Sequence, residues 1–65
     1  MLPFNLIKGL IFTHGTRSFE IIGVWKKAGE VTTVEFTEKN YEHKTIVRSK
    51  DYLESIEIRY KGIEK

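Results

Sequence analysis

The side chains best suited to acid–base or metal chemistry in this sequence are two histidines and nine carboxylates. His14 stands beside a predicted hairpin turn, and His43 stands in a charged segment without a partner at a metal-ligand spacing. The carboxylates alternate with lysines, as is typical of solvated strand faces. The sequence contains neither a Gly-x-Ser-x-Gly elbow nor a glycine-rich phosphate loop. We therefore predict that the protein is not an enzyme and holds no metal or cofactor.

A second kind of chemistry is contact with a polyanion, in which aromatic rings stack on bases and cations meet phosphates. The only tryptophan of the chain runs directly into two lysines. With a tyrosine and three further cations they form the predicted nucleic-acid-binding set, which is Arg17, Trp25, Lys26, Lys27, Tyr41, Lys44 and Arg48. The formal charge of +2, from 11 basic and 9 acidic side chains, favours such a partner only weakly.

The first element that must position these residues is a hairpin around residues 15–16. Glycine followed by threonine suits the central positions of a type II′ turn, and this turn pairs Phe12 with Phe19. Continued along both strands, the register pairs Leu6 with Trp25. Because side chains alternate across a strand, the pattern predicts one shared core face, made by Leu6, Leu10, Phe12, Phe19, Ile21 and Trp25. On this interpretation Trp25 lies at the rim of the core.

Two more turns follow. A turn at residues 28–29 places Lys27 opposite Glu30 and, further along, pairs Gly23 with Val34 and Ile21 with Phe36. The next turn, near residues 39–40, leaves the facing of its second strand open. A tight turn would direct Tyr41, His43, Thr45 and Val47 inward, whereas a longer loop would direct Ile46 inward instead.

The last segment supports two interpretations. Ile56, Ile58 and Tyr60 alternate with charged residues, which indicates a half-buried strand. Ser49 is a suitable N-cap, so we predict a short helical turn at residues 50–54 before that strand. The alternative is one helix over residues 50–61 that lies across the sheet.

These elements predict a single all-β domain over residues 1–65. Its expected form is a small five-stranded antiparallel meander, in the order of an SH3-like barrel, with a short helical turn before the last strand. The alternative is a β-sheet with one C-terminal helix. Since the chain has no cysteine and no stretch near the ~20 apolar residues that span a bilayer, we expect a cytoplasmic protein that does not enter membranes.

The expected function is therefore binding without catalysis. The primary prediction is a nucleic-acid-binding module that uses the basic and aromatic set. The alternative is a protein-interaction or inhibitory module, including a homodimer, that uses an apolar sheet face. Ile7, Ile22 and Val24 are the candidates for that face, because they alternate with the predicted core residues.

Overall fold

The computed structural model describes residues 2–63, apart from the side chain of Glu42. The chain forms five strands and one helix, namely β1 (Leu10–His14), β2 (Arg17–Lys27), β3 (Glu30–Glu38), β4 (Tyr41–Ser49), α1 (Lys50–Ser55) and β5 (Arg59–Ile63). The strands make one antiparallel sheet in the order β4-β3-β2-β1-β5. This confirms the predicted five-stranded meander with a helical turn before the last strand. β4 and β5 are the two edges of the sheet in the described part of the chain, so backbone pairing does not close it into a barrel.

The first hairpin has the predicted register near its turn. Phe12 pairs with Phe19, and Gly15 adopts a φ of 65°, as the first central position of a type II′ turn requires. The predicted continuation to a pair of Leu6 with Trp25 is wrong. The chain leaves the sheet at Gly9, whose φ of 92° suits glycine, and β1 begins only at the next residue. Residues 2–8 instead run across the core, where Leu6 is buried.

The pairing of β2 with β3 is predicted correctly at both ends and wrongly in the middle. Lys27 lies opposite Glu30, and Ile21 lies opposite Phe36. Between these pairs the register shifts twice, because each strand contains one β-bulge. The two extra residues offset each other, which is why both ends still agree with the prediction.

The bulge in β2 is at Ile22, and it changes which side chains face the core. One extra residue reverses the alternation of the strand beyond it. Val24 therefore pairs with Val34 on the core side, and Trp25 pairs with Thr33 on the opposite side, here called the outer face. The predictions that Trp25 shares the core face and that Val24 points away from it are both wrong for this reason.

The strand after the third turn combines the two predicted alternatives. The turn is tight, with Asn40 at a φ of 76° and Glu38 opposite Tyr41. Residues 42–44 then bulge out, because the next pair joins Thr37 to Thr45. As a result Ile46 packs against the core while the next residue, valine, is exposed.

The core is aromatic at its centre. The rings of Phe12, Phe19 and Phe36 lie 5.2 to 5.5 Å apart. Ser49 caps α1 by accepting a hydrogen bond from the backbone N–H of Tyr52, and the helix buries Leu53 against the sheet. In the described residues no helix has the length and apolar character needed to cross a membrane, since α1 has only six residues.

Candidate functional site

The fold divides the predicted basic and aromatic set among three places. The first group, Trp25, Lys26 and Lys27, lies at the end of β2. The second group lies around the start of β2 and consists of Arg17, Tyr41 and Lys44. The third place is the edge strand β4, which carries Arg48. Eight residue steps along β2 separate Arg17 from Trp25, or about 26 Å at ~3.3 Å per residue. The seven residues therefore do not form one continuous surface.

The first group, here called the tryptophan corner, consists of Trp25, Lys26 and Lys27. The tryptophan is 49% exposed on the outer face, although tryptophan usually contributes much of its area to a core. Both lysines are exposed, and no carboxylate among the described residues forms an ion pair with either one. The corner therefore combines an accessible ring with two exposed positive charges, one of which lies opposite Glu30 across the hairpin.

The turn beyond the tryptophan corner is small and tight. Ala28 and Gly29 have φ values of 52° and 82°, and a type I′ turn needs positive φ at both central positions. A methyl group is the largest side chain at this tip. Both faces of the hairpin are consequently open to a ligand that passes over its end.

The other side of the same hairpin borders a cleft of about 420 Å³. Its walls come from the N-terminal segment, the hairpin and the start of α1, and its lining residues are Leu2, Phe4, Asn5, Leu6, Ile7, Lys26, Gly29, Glu30, Val31 and Lys50. No pattern in the sequence combines Asn5 or Lys50 with the tryptophan corner. Their proximity arises because the chain turns away from the sheet at Gly9, which no periodicity signals.

The second group lies in an open groove of about 570 Å³, here called the arginine groove, which is lined by Arg17, Glu38, Tyr41, Lys44, Thr45 and Ile46. Arg17 donates two hydrogen bonds to the Glu38 carboxylate, from Nη2 at 2.6 Å and from Nε at 2.9 Å. Its guanidinium also lies 5.2 Å from the ring centre of Phe19. The hydrogen bond from Arg17 lowers the pKa of Glu38 and raises the pKa of Arg17. Most of the positive charge that Arg17 brings to the groove is therefore compensated.

The third location is occupied by Arg48 alone. Its guanidinium lies 5.5 Å from the ring centre of Tyr52 and donates a 2.8 Å hydrogen bond to the backbone oxygen of Val47. Arg48 thus bridges the edge strand and α1. Contacts within the fold account for its position.

The predicted apolar surface is also divided. Ile7 is 43% exposed beside the cleft, Ile22 is half-buried at the bulge, and Val24 packs against the core. The outer face presents a different apolar group, in which Ile11 and Val47 accompany Ile22 and Trp25. Val47 was not singled out from the sequence because the facing of β4 depends on the bulge at residues 42–44.

The polar groups that could serve catalysis are dispersed. His14 and His43 are both exposed, the first at the end of β1 and the second in the bulge of β4. Across residues 2–63, no group of three or more histidine, cysteine or carboxylate side chains is placed to hold a metal ion.

A scan against models of known protein families and searches of curated proteins and of solved structures found no match to this chain. The function is therefore inferred from the geometry of the chain's own residues. In the tryptophan corner neither cation has an ion-pair partner in the described structure, whereas in the arginine groove this holds for Lys44 but not for Arg17.

Proposed function

We propose that the protein is a non-catalytic module that binds nucleic acid through the tryptophan corner. The observation that carries this proposal is the bulge at Ile22, which turns a half-exposed Trp25 outward beside two lysines that form no ion pair among the described residues. An exposed indole can stack on any base, which contributes about 1–3 kcal/mol per base, and neighbouring ammonium groups can meet the phosphates.

The tryptophan corner suits a polyanion better than the arginine groove does. In the groove, the Glu38 carboxylate already neutralises Arg17 and would repel a phosphate. At the corner, neither lysine forms an ion pair with a carboxylate of the described residues, although Glu30 lies opposite Lys27 across the hairpin. The proposal places the module in the cytoplasm, where a chain without cysteine loses nothing to the reducing conditions.

The test is a titration of fluorescently labelled DNA and RNA, single- and double-stranded, followed by anisotropy at about 50 and 200 mM salt, the range in which phosphate contacts weaken strongly. We expect micromolar or tighter binding at low salt. Trp25→Ala should weaken it about 5- to 150-fold, which corresponds to the loss of one stacked base. Tyr41→Ala is the matched control, because Tyr41 is equally exposed but lies in the arginine groove.

Two results would contradict the proposal. One is the absence of binding to every nucleic acid at low salt. The other is an equal loss of affinity in Trp25→Ala and Tyr41→Ala, which would mean that the tryptophan corner has no special role.

A second candidate function is protein contact, including contact with a second copy of the chain. The exposure of Val47 on the outer face, which also carries the half-buried Ile22, favours it. Val47→Lys should then abolish the complex with little dependence on salt, as sedimentation at increasing protein concentration would show for a dimer. Val24 is unsuitable as a probe because it packs against the core.

A further inference from the structure

We infer that the nucleic acid is single-stranded and wraps over the tip of the β2–β3 hairpin, so that one base stacks on Trp25 and another enters the cleft on the opposite side. This inference rests on the proposed function and specifies its ligand. Its basis is that an exposed ring and a cleft of about 420 Å³ lie on opposite faces of one narrow hairpin end.

The alternation of side chains at the end of β2 separates the two sites. Trp25 and Lys27 are two positions apart and therefore share the outer face. Lys26, between them, lines the cleft with Lys50 from the start of α1. One lysine thus stands beside the stacking ring, and two stand at the rim of the cleft.

The tip between the two faces offers little obstruction. Ala28 and Gly29 close the turn, and a Cβ added to Gly29 would meet no atom within 4 Å. Two paired strands are only about 5 Å apart, so a short stretch of flexible backbone can pass over them. The cations on both sides lie where the phosphates of such a stretch would pass.

The lining of the cleft suits the flat face and polar edge of a base. Its apolar side chains include Phe4, Leu6 and Val31, which can contact the face of the ring. The exposed amide of Asn5 offers both a donor and an acceptor. Glu30 is the one acidic group in the lining; its carboxylate can accept a hydrogen bond from the exocyclic amine of a base, as acidic side chains do with cytosine.

A regular duplex does not meet these requirements. Its bases are paired and stacked, so each would have to be extruded before it could reach the indole or the cleft, at a cost in free energy. A single strand presents both faces of each base without that cost. The two-sided geometry therefore favours single strands over duplexes of the same sequence.

The test compares one labelled single strand with its hairpin duplex at about 50 mM salt, using anisotropy. The variant Asn5→Ala/Lys50→Ala removes two polar groups of the cleft and leaves Trp25 in place. The control is Lys61→Ala, which removes an exposed lysine from β5, the edge strand that β1 separates from β2. Circular dichroism of each variant confirms that it is folded.

We expect the single strand to bind at least about tenfold more tightly than the duplex. The cleft variant should lose about fivefold or more in single-strand affinity, and Lys61→Ala should lose less than twofold. Equal affinity for both forms would overturn the inference and leave the proposed function standing. An equal loss in the two variants would overturn the role of the cleft. Absence of binding to either form would overturn the proposed function itself.

Discussion

The two ends of β2 carry similar side chains but are built differently. At its start, Arg17 stands over Phe19 and is held by two hydrogen bonds to Glu38. At its end, Trp25 and the two lysines have no such partner among the described residues. Residue types alone therefore do not define a binding surface. The charges and rings must also be free of contacts within the fold.

The bulge at Ile22 is the physical origin of the difference. Before the bulge, the strand follows the alternation set by the first hairpin, so Phe19 and Ile21 are buried in the core. After the bulge the alternation is reversed, and Trp25 faces outward. One inserted residue therefore makes the two ends of β2 different. The start is engaged in contacts within the fold, and the end is exposed for contact with a ligand.

The largest expected effect tests whether the two ends belong to one cooperative unit. Phe12 is fully buried against the rings of Phe19 and Phe36, so Phe12→Ala should lower the free energy of unfolding by about 3–5 kcal/mol, as measured by urea denaturation. This is most of what a core of this size provides. Tyr60→Ala is the control, because Tyr60 pairs with Phe12 across β1 and β5 but is half-exposed, and its loss should be much smaller.

Hydrogen exchange on the same variant gives the decisive observation. Amides at both ends of β2 should lose protection together in Phe12→Ala. If the end near Trp25 kept its protection while the end near Arg17 lost it, the two ends of β2 would unfold independently and would not belong to one cooperative unit.

The second effect concerns the salt dependence of binding. Lys26→Ala/Lys27→Ala should remove two phosphate contacts and reduce the slope of log affinity against log salt by about 1.4, since each contact on a single strand contributes about 0.7. Between about 50 and 200 mM salt, that difference amounts to about sevenfold in affinity. Arg17→Ala/Lys44→Ala removes the same number of charges from the arginine groove and should leave the slope unchanged. Equal slopes for the two double variants would remove the distinction between the ends.

The sequence predicted the strands, the turns and the helical turn because each has a local cause. Gly15 specifies a turn with positive φ, and Ser49 caps α1. The bulge in β2 has a weaker local signal, because Ile22 lies among residues that favour strands and the neighbouring Gly23 permits a bulge or bend without specifying it. The sequence therefore identified Trp25 as a candidate contact residue but placed it on the wrong face.

The cleft was beyond prediction for a related reason. It depends on where residues 2–8 pass over the hairpin, and that path is set by the exit from the sheet at Gly9 and by the burial of Leu6. Neither contact is local in sequence. The arginine groove could not be predicted for a similar reason, because it depends on the three-residue bulge at residues 42–44, which has no turn signal in the sequence.

The third effect compares the two β-hairpin turns that contain a non-glycine residue at positive φ. Ala28, next to the tryptophan corner, has a φ of 52°, which is unfavourable for alanine. Ala28→Asn should therefore stabilise the protein by about 0.5–1 kcal/mol, because Asn-Gly is the preferred type I′ sequence. Asn40→Ala, in the turn beside the arginine groove, makes the reverse change at a φ of 76° and should destabilise it. Urea midpoints that move in the same direction for both variants would contradict this account of the turns.

The smallest effect is a pH dependence at the arginine groove. Because Arg17 lowers the pKa of Glu38, the pair contributes stability at pH values above the ordinary carboxyl pKa of 4.5, and this contribution is lost as the pH falls through the lowered pKa. The raised pKa of Arg17 has no effect in this pH range, because the guanidinium stays charged throughout it. Glu38→Gln should melt at a lower temperature than the unmodified protein at neutral pH, and this difference in melting temperature should disappear in acid. A difference that stayed constant with pH would show that the charges of the pair do not contribute to stability.

The most direct test of the central claim uses Trp25 itself, since it is the only tryptophan and its emission reports on one site. The protein would be titrated with an unlabelled single-stranded oligonucleotide at about 50 mM salt and then brought to about 200 mM. The account predicts that tryptophan emission is quenched as a base stacks on the ring and recovers when salt releases the strand. Binding seen by anisotropy without any change in tryptophan emission, or no binding at low salt, would contradict it.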